Sequence, residues 1–481
     1  MAKVFNIGGN TISYGGFLLR ELGSGSLTIS KTVSGSGFDP TKTFELSVVF
    51  SVPVTYNGTT STTHTFNLAH GQSVTITGIP ELTEYEVTET PLSELDVVRG
   101  YSIDGMTNPT GSIGNDSAVV CAAENSYGGG LPPGSTSFRF YFEDPSYNPT
   151  TSGETWSQFG VWTKVSSSPN IWDYTKTSNL DMLREEFAGK LSTPCHLISI
   201  GDYFANVGGQ SSLQVQMKGM LQNCTGLKSS VPFTIDFSPT NSAEYLFAGC
   251  TALESAPLIR KSGPGAYPPN LSHAFEGCTS LTDISNLDMV EGSVQTYEYE
   301  FAGCTALETA DNVGNAGIHT FDGCISLRSV GMDWEQLIFT EASFKDCSSL
   351  TTMPSSLYAV GASSPYNRIR YAFKNCSSLE TVGAITSRNI KLQTDEMFYG
   401  CSSLRTIPTF ASTINFEDSV ANMFNGCVSV ESGALDFYNR MSSQSTPPAY
   451  HNGCFTNCGS NTTTGAAELA QIPSSWGGTG T

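Results

Sequence analysis

The chain has 481 residues, a length that suits about three domains. Its 23 Lys and Arg stand against 44 Asp and Glu, a formal net charge of −21 that disfavours phosphate-mediated nucleic-acid binding and contact with an anionic leaflet. Hydrophobic residues make up 38%, enough for a core, so wholesale disorder does not fit.

The first segment, residues 1–23, is short, apolar and glycine-rich (FNIGGNTISYGGFLL) and is set off by Gly23-Ser24-Gly25-Ser26. It reads either as a disordered tail or as an anchor peptide that orders on a larger assembly. With one Lys and no continuous apolar run it makes a poor secretory signal. No stretch approaches the roughly 18 apolar residues of a membrane span, so no membrane insertion is expected. Folding in the cytosol is expected instead.

Residues 24–128 alternate β-branched and aromatic residues with polar ones: SLTISKTV, KTFELSVVFSVPV, THTFNL, QSVTITGI, YEVTET and SAVVCAAENSY. With Asn57-Gly58 as a hairpin tip, this pattern predicts a β-sandwich. The region resembles the Cna B-type domains of Gram-positive surface proteins, which carry a Lys on the first strand, a Y-x-V-x-E motif and an Asn on the last strand. The matches are Lys31, Tyr85-Glu86-Val87-Thr88-Glu89 and Asn125. The resemblance implies that the Lys31 amine attacks the Asn125 amide and releases ammonia, leaving an isopeptide bond. Burial would lower the Lys pKa and raise that of Glu89, letting Glu89 polarise the amide and shuttle protons. Without that chemistry, Lys31 and Asn125 are ordinary polar strand residues.

Residues 129–138 are a linker by composition. Residues 139–220 hold Trp156, Trp162, Trp172 and a helix-like DMLREEFAGKL. The tryptophans suit a cap on the N-terminal end of a repeat array, since terminal repeats must shield apolar edges. A sugar-binding aromatic cluster is the alternative.

Residues 221–481 are organised by a repeat. Ten cysteines fall at Cys224, Cys250, Cys278, Cys304, Cys324, Cys347, Cys376, Cys401, Cys427 and Cys458, on average 26 residues apart. That period marks a solenoid with one supersecondary unit per turn. Three residues before nine of them stands Phe, from Phe247 to Phe455, with Leu221 in the first repeat. Three residues after stands Leu, from Leu227 to Leu404, then Val430. Immediately before each Cys only Gly, Asn or Asp occurs, the residues that enter a left-handed backbone at least cost. The pattern predicts a short helical turn ending in Phe, a left-handed stop and a Cys pointing inward. After the Cys it predicts a brief parallel strand at Leu-x-x-apolar.

Zinc calls for closely spaced ligand pairs, and only Cys454 and Cys458 are near each other. Disulfides need facing Cβ atoms, whereas equivalent positions in a stack point the same way. A ladder of small buried thiols is the expectation, kept in a reducing compartment. These turns, such as LFAGCTALESAP and MFYGCSSLRTIP, resemble BspA-type leucine-rich repeats of bacterial surface proteins over about residues 221–460. The resemblance implies a curved solenoid used for adhesion, without catalysis. AAELAQIPSSW reads as a final capping turn closed by Trp476.

The overall expectation is a mainly β chain, an N-terminal β-sandwich followed by a solenoid of about ten turns. The six histidines (His64, His70, His196, His273, His319, His451) show no metal spacing, and no phosphate or dinucleotide loop is present. The reading is non-enzymatic, with no cofactor and no metal. The leading function is a bacteriophage virion fibre or appendage. It would dock to other virion proteins through residues 1–23 and present the repeats to a host surface protein or glycan, as a homo-oligomer, trimeric by analogy with fibres. Virion assembly in the host cytoplasm reconciles adhesive modules with free thiols. A bacterial cell-surface adhesin is the alternative, and a glycan-cleaving enzyme a weaker one, since no carboxylate pair stands out.

Overall fold

A computed structural model describes residues 23–35, 38–128, 131, 137–153, 156, 160–177, 183–200, 217–231, 233–235, 243–261, 270–287, 298–311, 315–331, 337–359, 367–387, 391–412 and 414–481. The anchor-peptide reading, apart from Gly23, lies outside the described residues, as does most of the 129–138 stretch. The chain divides into two compact units, residues 1–132 and 133–481.

In the first unit, period-two alternation gives two four-stranded sheets. The elements are β1 (Ser24–Ser34), β2 (Thr43–Tyr56), β3 (Thr59–Ala69), β4 (Ser73–Pro80), β5 (Glu84–Glu89), α1 (Glu94–Arg99), β6 (Tyr101–Thr107), β7 (Thr110–Ser112) and β8 (Ala118–Tyr127). One sheet runs β4-β1-β8-β6 and the other β3-β2-β5-β7. First and last strands pair in parallel, with Val33 opposite Asn125. Leu27, Ile29, Ile76 and Cys121 from one sheet meet Leu46, Val48, Phe50 and Val87 from the other in a dry core. Asn57 and Gly58 take φ of 47° and 80°, the mirror-image turn whose twist matches a hairpin. The stretch 91–116, which carries no alternation, holds three elements the sequence pattern does not announce. Ser93 caps α1 by accepting from the Asp96 N–H, and Gly100 ends it at φ 102°.

The second unit opens with an antiparallel ribbon: β9 (Ser137–Phe142), β10 (Gly160–Ser167) and β11 (Asn170–Lys176), joined by β12 (Cys195–Ser199) and β13 (Leu227–Ser230) in the order β10-β11-β9-β12-β13. β9 pairs antiparallel with β12, and β12 pairs parallel with β13, so the ribbon's sheet passes directly into the parallel pairing of the coils. Trp162 and Trp172 are buried with Phe138, Phe140 and Phe142, and Trp156 packs on Trp162 at 4.9 Å. Two of the three indoles are therefore core rather than an open platform for sugars.

The coils stack through three repeated contacts. Phenylalanine rings from Phe247 to Phe455 form eight successive near-parallel pairs, 5.2–5.9 Å between centroids. The Leu227-to-Val430 column is fully buried beside them. Backbone N–H groups donate from one coil to the next, as from Phe275 to the Glu300 carbonyl at 2.9 Å. The residues before the ten cysteines all take positive φ, from 57° at Asn223 to 82° at Gly426.

The local reading of the turn needs three corrections. A second left-handed residue stands two before the ring, at Tyr245, His273, Tyr299, His319, Ala342, Tyr371, Glu396 and Asn422, so no helical turn leads into Phe. After Cys224 the expected parallel strand forms as β13, but the corresponding stretches of later coils make only single parallel bridges, such as Thr352 with Thr381. Longer parallel pairing lies elsewhere on the coil, as between 356–359 and 384–386. Finally, residues 184–190 are a turn, not a helix: Glu185 is left-handed at φ 54° and the Phe187 N–H goes to the Met220 carbonyl. Phe187-Ala188-Gly189-Lys190 is thus one more coil, within the stretch assigned to the cap, with Lys190 where the others have Cys. At the far end Trp476 stacks on His451 at 4.3 Å and its carbonyl takes the Phe455 N–H, closing the last coil.

Candidate functional site

In the β-unit, β1 places Lys31 inward, β5 places Glu89 and β8 places Asn125, because inward positions alternate along each strand. All three meet in the interior. The Lys31 Nζ donates to Glu89 Oε1 at 2.8 Å and Oε2 at 2.7 Å. Asn125 Nδ2 donates to the same Oε1 at 2.8 Å, while Asn125 Oδ1 is buried with no partner among the described residues. Lys31 is fully buried, with its ammonium 4.6 Å from the Phe44 ring centroid. Burial pulls the amine below the usual Lys range, against the opposing pull of the Glu89 carboxylate. One carboxylate thus bridges an amine and a carboxamide among side chains shielded from solvent.

The ten repeat cysteines, with Cys121, Cys195 and Cys454, are all buried and none forms a disulfide. From Cys224 to Cys427 each thiol donates to the carbonyl of the preceding coil's ring position, as Cys278 to Phe247 at 3.2 Å and Cys376 to Phe344 at 3.0 Å. That carbonyl also takes its own coil's Cys N–H, so the thiol links coil to coil. Burial pushes the Cys278 thiol up to about 12 and the Cys121 thiol up to about 11. Such thiols are poor nucleophiles and poor metal ligands.

Among the described residues no group of three or more His, Cys, Asp or Glu is placed to hold a metal ion. The histidines have structural partners: His64 with the Val54 carbonyl, His70 with the Val33 N–H, His196 with Ser229 and Glu143, His273 with Glu276, His319 with Asp322, and His451 with the Pro448 carbonyl. Among the described residues no helix is long and apolar enough to cross a membrane.

Two features escaped the sequence reading. The left-handed position before the ring carries Tyr245, His273, Tyr299 and His319, whose rings stack at 4.4–4.8 Å. The regular Phe-minus-two spacing would have revealed that column. Glu300 is fully buried, both carboxylate oxygens lack a partner among the described residues, and burial alone holds its carboxyl far above the usual range. At the same coil position the other coils carry apolar Leu246, Ala274, Ala372 and Met397 or the small hydroxyls of Thr320 and Ser343, so the Glu300 carboxylate stands out by its charge.

Fold and repeat geometry define a mainly β chain with an N-terminal β-sandwich and a C-terminal region of leucine-rich-repeat type. The family model described as "BspA type Leucine rich repeat region" matches six copies over residues 271–368 and 355–475. A domain of unknown function, DUF7601, matches residues 25–127. No curated protein matches the chain. Among solved structures, the chain is similar to a pilus-presented adhesin, Spy0125 (Cpa), at 30% identity, over 22% of this chain and 27% of that one, with a TM-score of 0.17. It is also similar to the major pilin of Streptococcus pyogenes at 21% identity, over 22% of this chain and 48% of that one, with a TM-score of 0.18. The chain therefore spans well under two thirds of those proteins' length.

Proposed function

We propose that this is a non-enzymatic surface adhesion protein whose repeats engage a host surface protein or glycan. The observation that carries the reading is the uninterrupted stack of BspA-type coils, with a dry interior and a polar outer face laced by ion pairs such as Arg370 with Glu341 and Lys374 with Glu396. A face rigidified by cross-coil contacts suits recognition more than chemistry.

Within that reading the β-unit is a self-crosslinking module. Lys31 Nζ attacks Asn125 Cγ and the new N–C bond forms as Cγ–Nδ2 breaks. Glu89, bonded to both nitrogens, takes a proton from the amine and returns one to the departing nitrogen, which leaves as ammonia. Atoms balance without an oxidant or a cofactor. Turning the carboxamide by half a rotation would present Oδ1 to Glu89, so that a protonated Glu89 polarises the carbonyl.

The finer assignment is a bacteriophage fibre or appendage, docked through residues 1–23. Thirteen buried cysteines outside any disulfide support it, because they suit folding and assembly in a reducing cytosol. Mass spectrometry of purified virions tests it: the chain is expected among the structural proteins, and its absence refutes the virion assignment. A bacterial cell-surface adhesin is the second reading, favoured by the repeat family's name, and would be recovered from the cell envelope instead.

A further inference from the structure

The aromatic column at the Phe-minus-two position does not run the length of the solenoid. Its stacked rings run from Tyr245 to His319, Ala342 interrupts them, Tyr371 follows, and the next coils place Glu396, Asn422 and Gly453 there. One position earlier, Arg370 and Asp395 give way to Ala421 and Asn452. Where rings elsewhere fill the surface, these small and polar side chains leave a depression of about 370 Å³, lined by Arg370, Asp395, Ala421, Asn422, Tyr450 and Asn452 among others. Its size lies within the roughly 300–1,000 Å³ of small-ligand clefts.

The chemistry of the lining selects a ligand class. Arg370 is committed to Glu341 at 2.7 Å, Glu396 is paired with Lys374, and Asp395 accepts from the Ser419 hydroxyl. Two of these charges are balanced locally, while Asp395 keeps its negative charge with only a neutral hydroxyl as partner, so no cation is left over to hold an anionic ligand. What remains is a set of amide and carboxylate hydrogen-bonding groups, donors and acceptors in fixed orientation. Tyr450 stands 63% exposed at the rim, an aromatic ring with an open face. Planar polar groups that meet paired hydroxyls, beside a ring that meets C–H faces, make a site for an uncharged polyhydroxylated ligand.

We infer that this depression is a binding site for a neutral mono- or disaccharide, the terminal unit of a host glycan. The inference rests on the adhesion reading of the repeats and gives that reading a location.

The test uses the full chain and saturation-transfer NMR with lactose, cellobiose, maltose and N,N′-diacetylchitobiose, with sialyllactose as the anionic control. Transfer to at least one neutral sugar is expected. It should be lost in Tyr450→Ala and in Ala421→Trp, which fills the depression from a second position, and kept in Tyr245→Ala on the ring column. Binding that survives both groove substitutions, binding of sialyllactose alone, or no binding at all overturns the inference. Adhesion of the same preparation to host cells is measured alongside. Adhesion without sugar binding leaves the adhesion reading standing and removes this site, whereas sugar binding in the groove without adhesion does the reverse.

Discussion

Replacing Asn125 by Ala isolates the proposed crosslink, because the Lys31–Glu89 pair stays intact. Lys31 and Asn125 lie 94 positions apart, so a bond between them closes nearly the whole β-unit into one loop. The chain-entropy relation for a loop of that size gives about 4–5 kcal/mol of stabilisation through the unfolded state. A domain of about this length shifts its melting temperature by roughly 4–8 °C per kcal/mol, so the crosslink is worth on the order of 20–35 °C. Calorimetry of the full chain should show the β-unit transition falling by that amount in Asn125→Ala. Lys31→Ala should fall further, since it strands a buried Glu89 carboxylate at about 3–5 kcal/mol. Intact mass gives the chemical readout: one ammonia below the sequence mass in the unaltered chain, and no loss in Asn125→Ala, Lys31→Ala or Glu89→Ala. An unaltered chain at full sequence mass, or Asn125→Ala melting within a few degrees of it, refutes the crosslink.

Glu300→Met should stabilise the solenoid by about 1–3 kcal/mol, since it removes two unsatisfied buried oxygens from a fully buried coil position. Because the folded-state pKa of Glu300 is raised, this group's contribution to stability is greatest below the unfolded value near 4.3. It then falls by up to about 1.4 kcal/mol per pH unit as pH rises toward the folded value. Melting curves at pH 5 and pH 8 should therefore diverge less in Glu300→Gln, and equal divergence contradicts the assignment. The thirteen thiols should resist alkylation at pH 8 until the chain unfolds, and stoichiometric labelling of the native protein would contradict their burial. Phe301→Ala removes a ring stacked on both Phe275 and Phe321 and should cost about 3–5 kcal/mol in denaturant unfolding, with a cost below 1 kcal/mol counting against the stack.

The parts legible in the sequence are those in which one residue type answers one local constraint. Gly, Asn or Asp before each Cys reports a left-handed backbone, and every one of the ten has it. The strands of the β-unit follow from alternation, and the meeting of Lys31, Glu89 and Asn125 from a spaced motif on three of them. Other features depend on neighbours distant in sequence. Phe187 begins the ring position one coil early, but Lys190 replaces the Cys that signals the repeat, so the segment reads as a helix. Helix α1 and β6 arise where Ser93 and Gly100 punctuate a stretch with no alternation of its own. The depression near Tyr450 exists only because small side chains from separate coils fall side by side, which a linear pattern does not display.

Binding of the labelled full chain to intact host cells, compared with a chain lacking residues 221–481, tests the adhesion reading most directly. Saturable binding by the full chain and none by the shortened one is the predicted result. Equal binding by both would place adhesion outside the repeats and contradict the account.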